Sequence, residues 1–538
     1  MSVVTANSIL TSGDIIKCEI TSNRDTGKKM DISAGIVMFN YYESILDGSV
    51  RFVAVIVDSG SSDKGGEAIT VLQELKLEGS EKCHITVSDN QSNRLKFADD
   101  NAMYIREIRN IVSSSESTVY TLELMNKEMI ANDLLSTEVY RRFDGEISQS
   151  AEIVLREILK TSKSIMVDAT ANNYNFIGQG KKPFRLLAEI ATKGVSQASK
   201  QSAGYLMFET YEGYNFRSID NLFEDDAGHK SYIYNSSTKL PNGYDGKILR
   251  YDADTTIDVE KNLSTGIYGS RMETINTYSH IFNTKAQEVD TEEQKIHGGL
   301  QLPTLSKDFN EQFATDGALL SRRFTKIDSV GELPEGSVTE QIEKKTDPNL
   351  VLEEVIVQSS MTYNKLFTMS MKITITGDYS LRAGDVIHCD FPEQSSKKEG
   401  GIDKELSGKF MIADICTQLT SQNIFTRIHL VRDSFGRQAN SSVGAQGGTS
   451  LANANKGNFT NANRALPGTG RVNPFDSSSL FSDLNLNQGL FDTINDLNSN
   501  QTRDKSGRTK DKTRINANLD DNQSGNSNFN ADEYLGLD

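Results

Sequence analysis

Tryptophan is absent from this chain of 538 residues, and cysteine and histidine are scarce, at four and six. Cys18, Cys83, Cys389 and Cys416 lie far apart and form no CxxC pair. That spacing argues against a zinc knuckle, a redox dithiol or a secreted disulfide scaffold, and favours reduced thiols. Cys83 and Cys389 fall in alternating apolar runs, where each is expected to act as a small buried hydrophobe. The histidines (His84, His229, His280, His297, His388 and His429) have no partners at i+4, so a metal site would need tertiary convergence. His388 and His429 sit in strand-like alternations and are expected to be hydrogen-bonded sheet residues. No stretch approaches the roughly 20 apolar residues of a membrane span. The first residues, MSVVTAN, lack the basic and then apolar regions of a signal peptide, so a soluble protein with no membrane partner is expected. Basic residues are also in deficit: 57 Lys and Arg face 74 Asp and Glu, a net charge of −17. A protein that coats nucleic acid needs clustered cations to neutralise phosphates, so that class is disfavoured. Attraction to anionic lipid is weakened for the same reason.

Catalytic signatures are missing as well. There is no HExxH and no Gly-x-Ser-x-Gly elbow. The segment Gly178-Gln-Gly180-Lys-Lys-Pro precedes a helix, as a phosphate-cradling loop would. It lacks both the third glycine of a dinucleotide fingerprint and a Gly-Lys-Ser/Thr ending, and Pro183 removes a helix N-terminal donor. A turn followed by a helix start is the expected reading. Glu224-Asp225-Asp226 is read as a solvated acidic loop. No catalytic residue, cofactor or metal is expected, and the chain is read as a non-enzyme.

What is present is β structure. Val50–Asp58, Cys83–Ser88, Ala102–Ile111 and Thr118–Met125 are short, β-branched or aromatic runs. In CHITVS, Cys83, Ile85 and Val87 point one way and the intervening residues the other, the period of a sheet with one wet face. Asp47-Gly48, Ser59-Gly60 and Glu78-Gly79 punctuate these runs with turn chemistry. Many short antiparallel strands at this spacing argue for a barrel or sandwich. Helices follow: Ser148–Thr161 carries a stripe of Ile153, Leu155, Ile158 and Leu159, and a second starts at Pro183 with Phe184, Leu187, Ile190 and Ala191 as its buried face. Tyr174–Ile177 and a hairpin, Tyr205–Tyr211 with Tyr214–Ile219, complete an α+β module. Residues 246–282 return to strand character. Residues 283–350 are polar, with a helix expected near Asn310–Phe324. A helix from Leu350 then leads into strands Thr368–Thr376, Asp385–Phe391, Lys409–Ile415 and Ile424–Val431.

After Arg437 the character changes. Residues 441–538 hold 17 Asn and 11 Ser, too little apolar surface to offset chain entropy, so this extension is expected to be disordered or ordered only on a partner. Three apolar clusters interrupt it: Leu480, Phe481 and Leu484; Leu490, Phe491 and Ile494; and Leu535 with Leu537. They are candidate anchors for docking into partner grooves. This extension also explains part of the low apolar fraction of 36% and the mean hydropathy of −0.46.

Two stretches carry a resemblance. One is residues 41–58 (YYESILDGSVRFVAVIVD), followed by Ala68–Gly79 and CHITVSD. The other is Gly377–Pro392 (GDYSLRAGDVIHCDFP), then LSGKFMIAD at 406–414 and TRIHLVRDSFG at 426–436. Together they resemble the baseplate hub proteins of contractile-tailed (T4-like) bacteriophages over residues 1–436. The resemblance implies a mainly β chain with α+β insertions and two similar antiparallel β-barrel domains. The first barrel would span 1–145 and be completed by 241–282, interrupted by an α+β insertion domain at 146–240. A peripheral subdomain would occupy 283–350, the second barrel 351–436, and an Asn/Ser/Gly-rich extension 437–538.

In function it implies a homotrimer whose six barrels form a pseudo-sixfold ring, joining a hexameric tail tube to a trimeric central spike. Implied partners are the spike protein, the tube-initiating protein, the tape-measure protein and, through the C-terminal extension, neighbouring baseplate wedge proteins. DNA would pass without specific binding. The location would be the virion tail baseplate, assembled in the host cytoplasm. The alternatives are a tail-associated cell-wall-degrading enzyme and a β-rich receptor-binding tail protein. The first needs two carboxylates roughly 5–10 Å apart across a groove, which nothing in the sequence marks. The second usually shows repeats along the chain, whereas the only repetition here is two distant β regions.

Overall fold

The computed structural model describes residues 13–436 apart from 26, 63–67, 115, 199–201, 225–229, 236–239, 255–257, 277–279, 289–295, 315–318, 328–336, 345–348, 394–400 and 422. The first β unit contains β1 (Asp14–Thr21), β2 (Lys29–Asp31), β3 (Ile36–Ser44), β4 (Arg51–Asp58), β5 (Lys82–Ser88), β6 (Arg94–Phe97), β7 (Met103–Ser113) and β8 (Thr118–Met125). Its strands run in the order β2-β1-β5-β7-β8-β4-β3, with β6 added to β5. Alternation decides which side chains enter the core: in β5, Cys83, Ile85 and Val87 are buried and their neighbours half-buried. Phe39, Tyr41, Phe52 and Phe97 form the aromatic centre, with Phe52 and Phe97 edge to face at 4.9 Å, a favoured arrangement of ring quadrupoles. On the opposite face of β8, the buried Glu123 lies beneath Arg106 at 2.8 Å, Arg51 at 3.6 Å and Arg109 at 3.8 Å.

The α+β module follows. Its helix Ile147–Ile153 widens into a π turn, Val154–Ile158. The helix starts one residue before the expected Ser148: Glu146 occupies the cap position, and the buried Ser148 hydroxyl accepts from Thr170 Oγ1 at 3.2 Å. The helix Pro183–Ala191 begins with proline, which suits a first turn whose N–H has no intrahelical partner. Its buried face is Leu186, Leu187, Ile190 and Ala191, with Phe184 only partly buried. These helices cover a three-stranded sheet in which β9 (Ile165–Val167) pairs parallel to β11 (Gly213–Ser218), itself antiparallel to β10 (Tyr205–Thr210).

The next strands correct one expectation. β12 (Ser231–Ile233) and β13 (Gly246–Asp254) do not complete the first β unit. Beyond them lies a separate three-stranded sheet in which β14 (Gly269–Asn276) is flanked by β15 (Ile281–Glu288) and β16 (Arg322–Ile327). A helix, Leu352–Leu366, then leads to β17 (Met369–Thr376), β18 (Val386–Asp390), β19 (Gly408–Thr420) and β20 (Ile424–Arg432). β13 pairs with β17, and β12 pairs with β13 and β18. With β20 bonded to both β17 and β19, the ring β19-β18-β12-β13-β17-β20 closes on itself as a six-stranded barrel. The second unit, not the first, is therefore the one built from separated segments. The reason is register: β13 places Ile248 opposite Ile375, so Ile248 joins the core of Ile373, Ile387, Phe410 and Leu430. The barrel is also not wholly antiparallel, since β12 runs parallel to both neighbours.

A second correction concerns the polar stretch. The helix expected at Asn310–Phe324 is Lys307–Phe313, and Arg322–Ile327 is strand β16. Only Phe324 of that strand is buried. It packs with Met272 against Val355, Ile356 and Met361 of the helix Leu352–Leu366, and one buried side chain in six leaves almost no pattern to read.

Candidate functional site

The feature that organises the described residues is the joint between the two β units. β3 pairs antiparallel with β19, from Ser44 opposite Asp414 to Met38 opposite Thr420, so the sheet of the first unit runs directly into the barrel of the second. Leu419 and Ile424 of the barrel, with Tyr379 from the loop after β17, belong to the apolar core of the first unit. Burial of such side chains gives about 1.5–3 kcal/mol each, so the joint is a shared core rather than a surface contact. Polar groups fix its register. Ser44 Oγ donates to Asp414 at 2.6 Å, the other Asp414 oxygen lies 2.8 Å from His429 Nδ1, and Tyr379 N–H donates to Asp89 at 3.0 Å.

One buried carboxylate connects three regions. Glu43, two residues beyond the core residue Tyr41 on the same face of β3, is 1% exposed. It accepts hydrogen bonds from the Tyr41 hydroxyl, from Tyr211 N–H of the α+β module at 2.8 Å and from Ala383 N–H of the second unit at 2.9 Å. Arg382 adds a cation above the Tyr211 ring, 5.0 Å from its centroid. Burial pushes the Glu43 carboxyl above its ordinary pKa, and Arg382 and the hydrogen bonds only partly oppose that.

A second network holds the α+β module to the first unit. Glu209 accepts from Val50 N–H at 2.8 Å, from Lys163 at 2.5 Å and from Asn126. Lys163 also reaches Glu128 at 3.2 Å. Burial works against the ammonium, but the two glutamates outweigh it and raise the Lys163 pKa. Burial raises that of Glu209.

The third feature is a clamp at the end of β20. His297 and Gly298 N–H groups both donate to Asp433, each at 2.9 Å, and Gly299 N–H donates to Ser434 Oγ at 2.8 Å. The His297 ring stacks on Phe223 and approaches Asp220 at 2.9 Å. Beside it Arg432 is buried, its guanidinium over Phe410 and donating to the carbonyls of Ser407 at 2.9 Å and Glu405 at 2.7 Å. Burial lowers its pKa to about 10. A Cβ on residue 298 would come within 2.2 Å of Arg432 Cγ, so the close approach requires glycine. Gly298→Ala is expected to lower the melting temperature by several degrees, as overpacking of a filled site costs roughly 1–3 kcal/mol; thermal unfolding followed by circular dichroism measures it.

The residues marked by sequence fall as follows. Cys18, Cys83, Cys389 and Cys416 are all buried and free. His388 lies 3.1 Å from Asp390 and His429 contacts Asp414, both as hydrogen-bonded sheet residues. Residues 178–182 form a turn, with Gly180 at φ +73° and Lys181 bridged to Val139, before the helix at Pro183. Among the described residues no group of three or more His, Cys, Asp or Glu is placed to hold a metal, and no helix is long and apolar enough to cross a membrane. Asp225, Asp226, His229 and the proposed anchors Leu480, Phe481, Leu484, Leu490, Phe491, Ile494, Leu535 and Leu537 lie outside the described residues. Sequence reasoning missed Glu43, Glu209, Arg382 and Asp433. The available signal was a carboxylate inside an otherwise apolar strand, as Glu43 is in IVMFNYYES and Glu209 in YLMFET.

No family model matches the chain, and no curated protein matches it. Solved structures do. The 43 kDa tail protein of prophage MuSo2 from Shewanella oneidensis is similar at 11% identity, over 78% of this chain and 98% of that one, with a TM-score of 0.43. The tail protein from Neisseria meningitidis MC58 is similar at 11% identity over 79% and 96%, with a TM-score of 0.42. A chain of the phage P2 baseplate in its activated conformation is similar at 10% identity over 78% and 99%, with a TM-score of 0.24. These neighbours are phage tail and baseplate proteins.

Proposed function

We propose that this chain is a structural, non-enzymatic baseplate hub protein of a contractile phage tail. Three copies form a ring of six β units that joins a hexameric tail tube to a trimeric central spike. The observation that carries this reading is the β3–β19 joint. It fixes two β units side by side in every chain, and each side carries part of a stretch that resembles hub proteins: residues 41–58 contain the last four residues of β3 and all of β4, and residues 377–392, 406–414 and 426–436 contain β18 and parts of β19 and β20. A rigid pair of similar units is what a threefold assembly needs to meet a sixfold one.

Charge supports the same reading. The extension after residue 440 has 9 Lys and Arg against 11 Asp and Glu, so −15 of the net −17 belongs to residues 1–440. A ring of that charge repels a polyanion and lets DNA or a tape-measure protein pass without specific binding. The spike, the tube-initiating protein and, through the extension, neighbouring wedge proteins are the remaining partners. The mass in solution tests the reading: light scattering is expected to give three chains of 59.5 kDa, alone or with the spike protein. A monomer under both conditions overturns it.

A further inference from the structure

We infer that Cys18 and Cys83 form a latent disulfide site that closes when the folded protein meets a disulfide oxidant. The two residues lie on adjacent antiparallel strands, with Cys18 opposite Ile85 and Ile20 opposite Cys83, so they are diagonal neighbours on the inner face of the first unit. Their sulfurs are 3.7 Å apart, and both side chains are buried. A disulfide needs about 2.05 Å, a further approach of about 1.7 Å that for diagonal neighbours takes strand movement as well as side-chain rotation.

The surroundings allow that movement. On its outer side β1 meets the three residues of β2, with Cys18 N–H donating to Asp31 at 3.4 Å and the Cys18 carbonyl accepting from Ile32 N–H at 2.8 Å, and its pairing with β5 shifts register between Ile15 and Lys17. Next to the sheet edge, and with its ladder interrupted at that shift, β1 opens locally without global unfolding. Opening is required, because in the closed state the hydrogen-bonding contact with Cys18 and then burial push the Cys83 thiol well above its ordinary pKa and leave it inert. The other two cysteines differ: Cys389 lies in the core of the second unit, and Cys416 faces Tyr42 at the joint.

The oxidant is a low-molecular-weight disulfide. One cysteine thiolate attacks it, forming a mixed disulfide and releasing one small thiol. The second cysteine attacks the mixed disulfide, forming the Cys18–Cys83 bond and releasing the second small thiol. Two protein thiols are oxidised, one small disulfide is reduced, and both protons leave on the released thiols. The bond would close a loop between residues 65 apart in sequence and pin β1, a lock absent in a reducing compartment and acquired in an oxidising one.

The full-length protein, incubated with oxidised glutathione, then denatured and alkylated with N-ethylmaleimide, tests this by intact mass. Two alkylations instead of four are expected, with a peptide linking Cys18 to Cys83 in a non-reducing digest. A rise in melting temperature of about 3–5 °C, reversed by dithiothreitol, is expected alongside. Cys18→Ala and Cys83→Ala are each expected to show three alkylations and no rise on oxidation. Four alkylations of the oxidised wild type, glutathione adducts without a protein disulfide, or a linkage between any other pair overturns the inference. None of these outcomes depends on the oligomeric mass.

Discussion

Glu43→Ala is expected to destabilise the folded chain by about 3–5 kcal/mol, the usual cost of removing one partner from a buried charged network. The carboxylate satisfies the N–H groups of Tyr211 and Ala383 and the Tyr41 hydroxyl. Alanine leaves all three donors without it and opens a void between three regions. Buried donors without acceptors cost about 1–3 kcal/mol each, less whatever water recovers. Because two of the donors lie in other regions, limited proteolysis of the variant is expected to release the α+β module from the β units, as well as lowering the melting temperature.

Glu43→Gln separates charge from shape. The amide oxygen keeps two of the hydrogen bonds while the amide nitrogen opposes one donor, so its loss is smaller. Its pH dependence differs in sign from that of a surface carboxylate. Burial raises the Glu43 pKa above 4.5 in the folded state, so between that value and the raised one the folded protein binds more protons than the unfolded chain. Stability from this group is therefore full below about pH 4.5 and is lost as pH rises through the raised pKa. Wild type is expected to gain melting temperature relative to Glu43→Gln as pH falls from 7 to 5. An unchanged difference across that range contradicts the assignment.

Arg432→Met carries the second large effect, a loss of about 2–4 kcal/mol and a fall in melting temperature of about 5 °C or more. Methionine keeps much of the apolar stem but cannot donate to the carbonyls of Ser407 and Glu405, nor stack a cation on Phe410. The charge-assisted bonds are each worth about 1.5–3 kcal/mol. Arg432→Lys keeps a charge but not the planar fork that reaches two carbonyls at once, and is expected to recover less than half of the loss. Near-wild-type melting of Arg432→Met would mean that the two carbonyls are satisfied in another way.

Much of the local architecture is legible in the amino-acid pattern. CHITVS alternates because one face meets a core and the other does not, and β5 buries Cys83, Ile85 and Val87 as that pattern requires. Val50–Asp58, Thr118–Met125 and Thr368–Thr376 are strands within a residue of their expected ends. Where one face is buried, period-two patterning is strongly specified. The helix after Pro183 is equally plain, although Leu186 rather than Phe184 completes its buried face. The polar stretch 283–350 offers little, because β16 buries only Phe324 and a single buried residue sets no period.

What sequence alone determined is local: which segments are strands or helices, which way their side chains alternate, and where the composition turns to Asn and Ser after Arg437. Each of these is set by backbone preference and by water acting on neighbouring side chains. The choice of partner was decided only in three dimensions. Gly246–Asp254 reads as a strand in any context, yet it closes the second unit, because Ile248 opposite Ile375 fills that core. Alternation names the buried face but not the neighbouring strand. In the same way, the sequence shows a glutamate at position 43, and only the meeting of three regions gives it Tyr211 and Ala383 to hold.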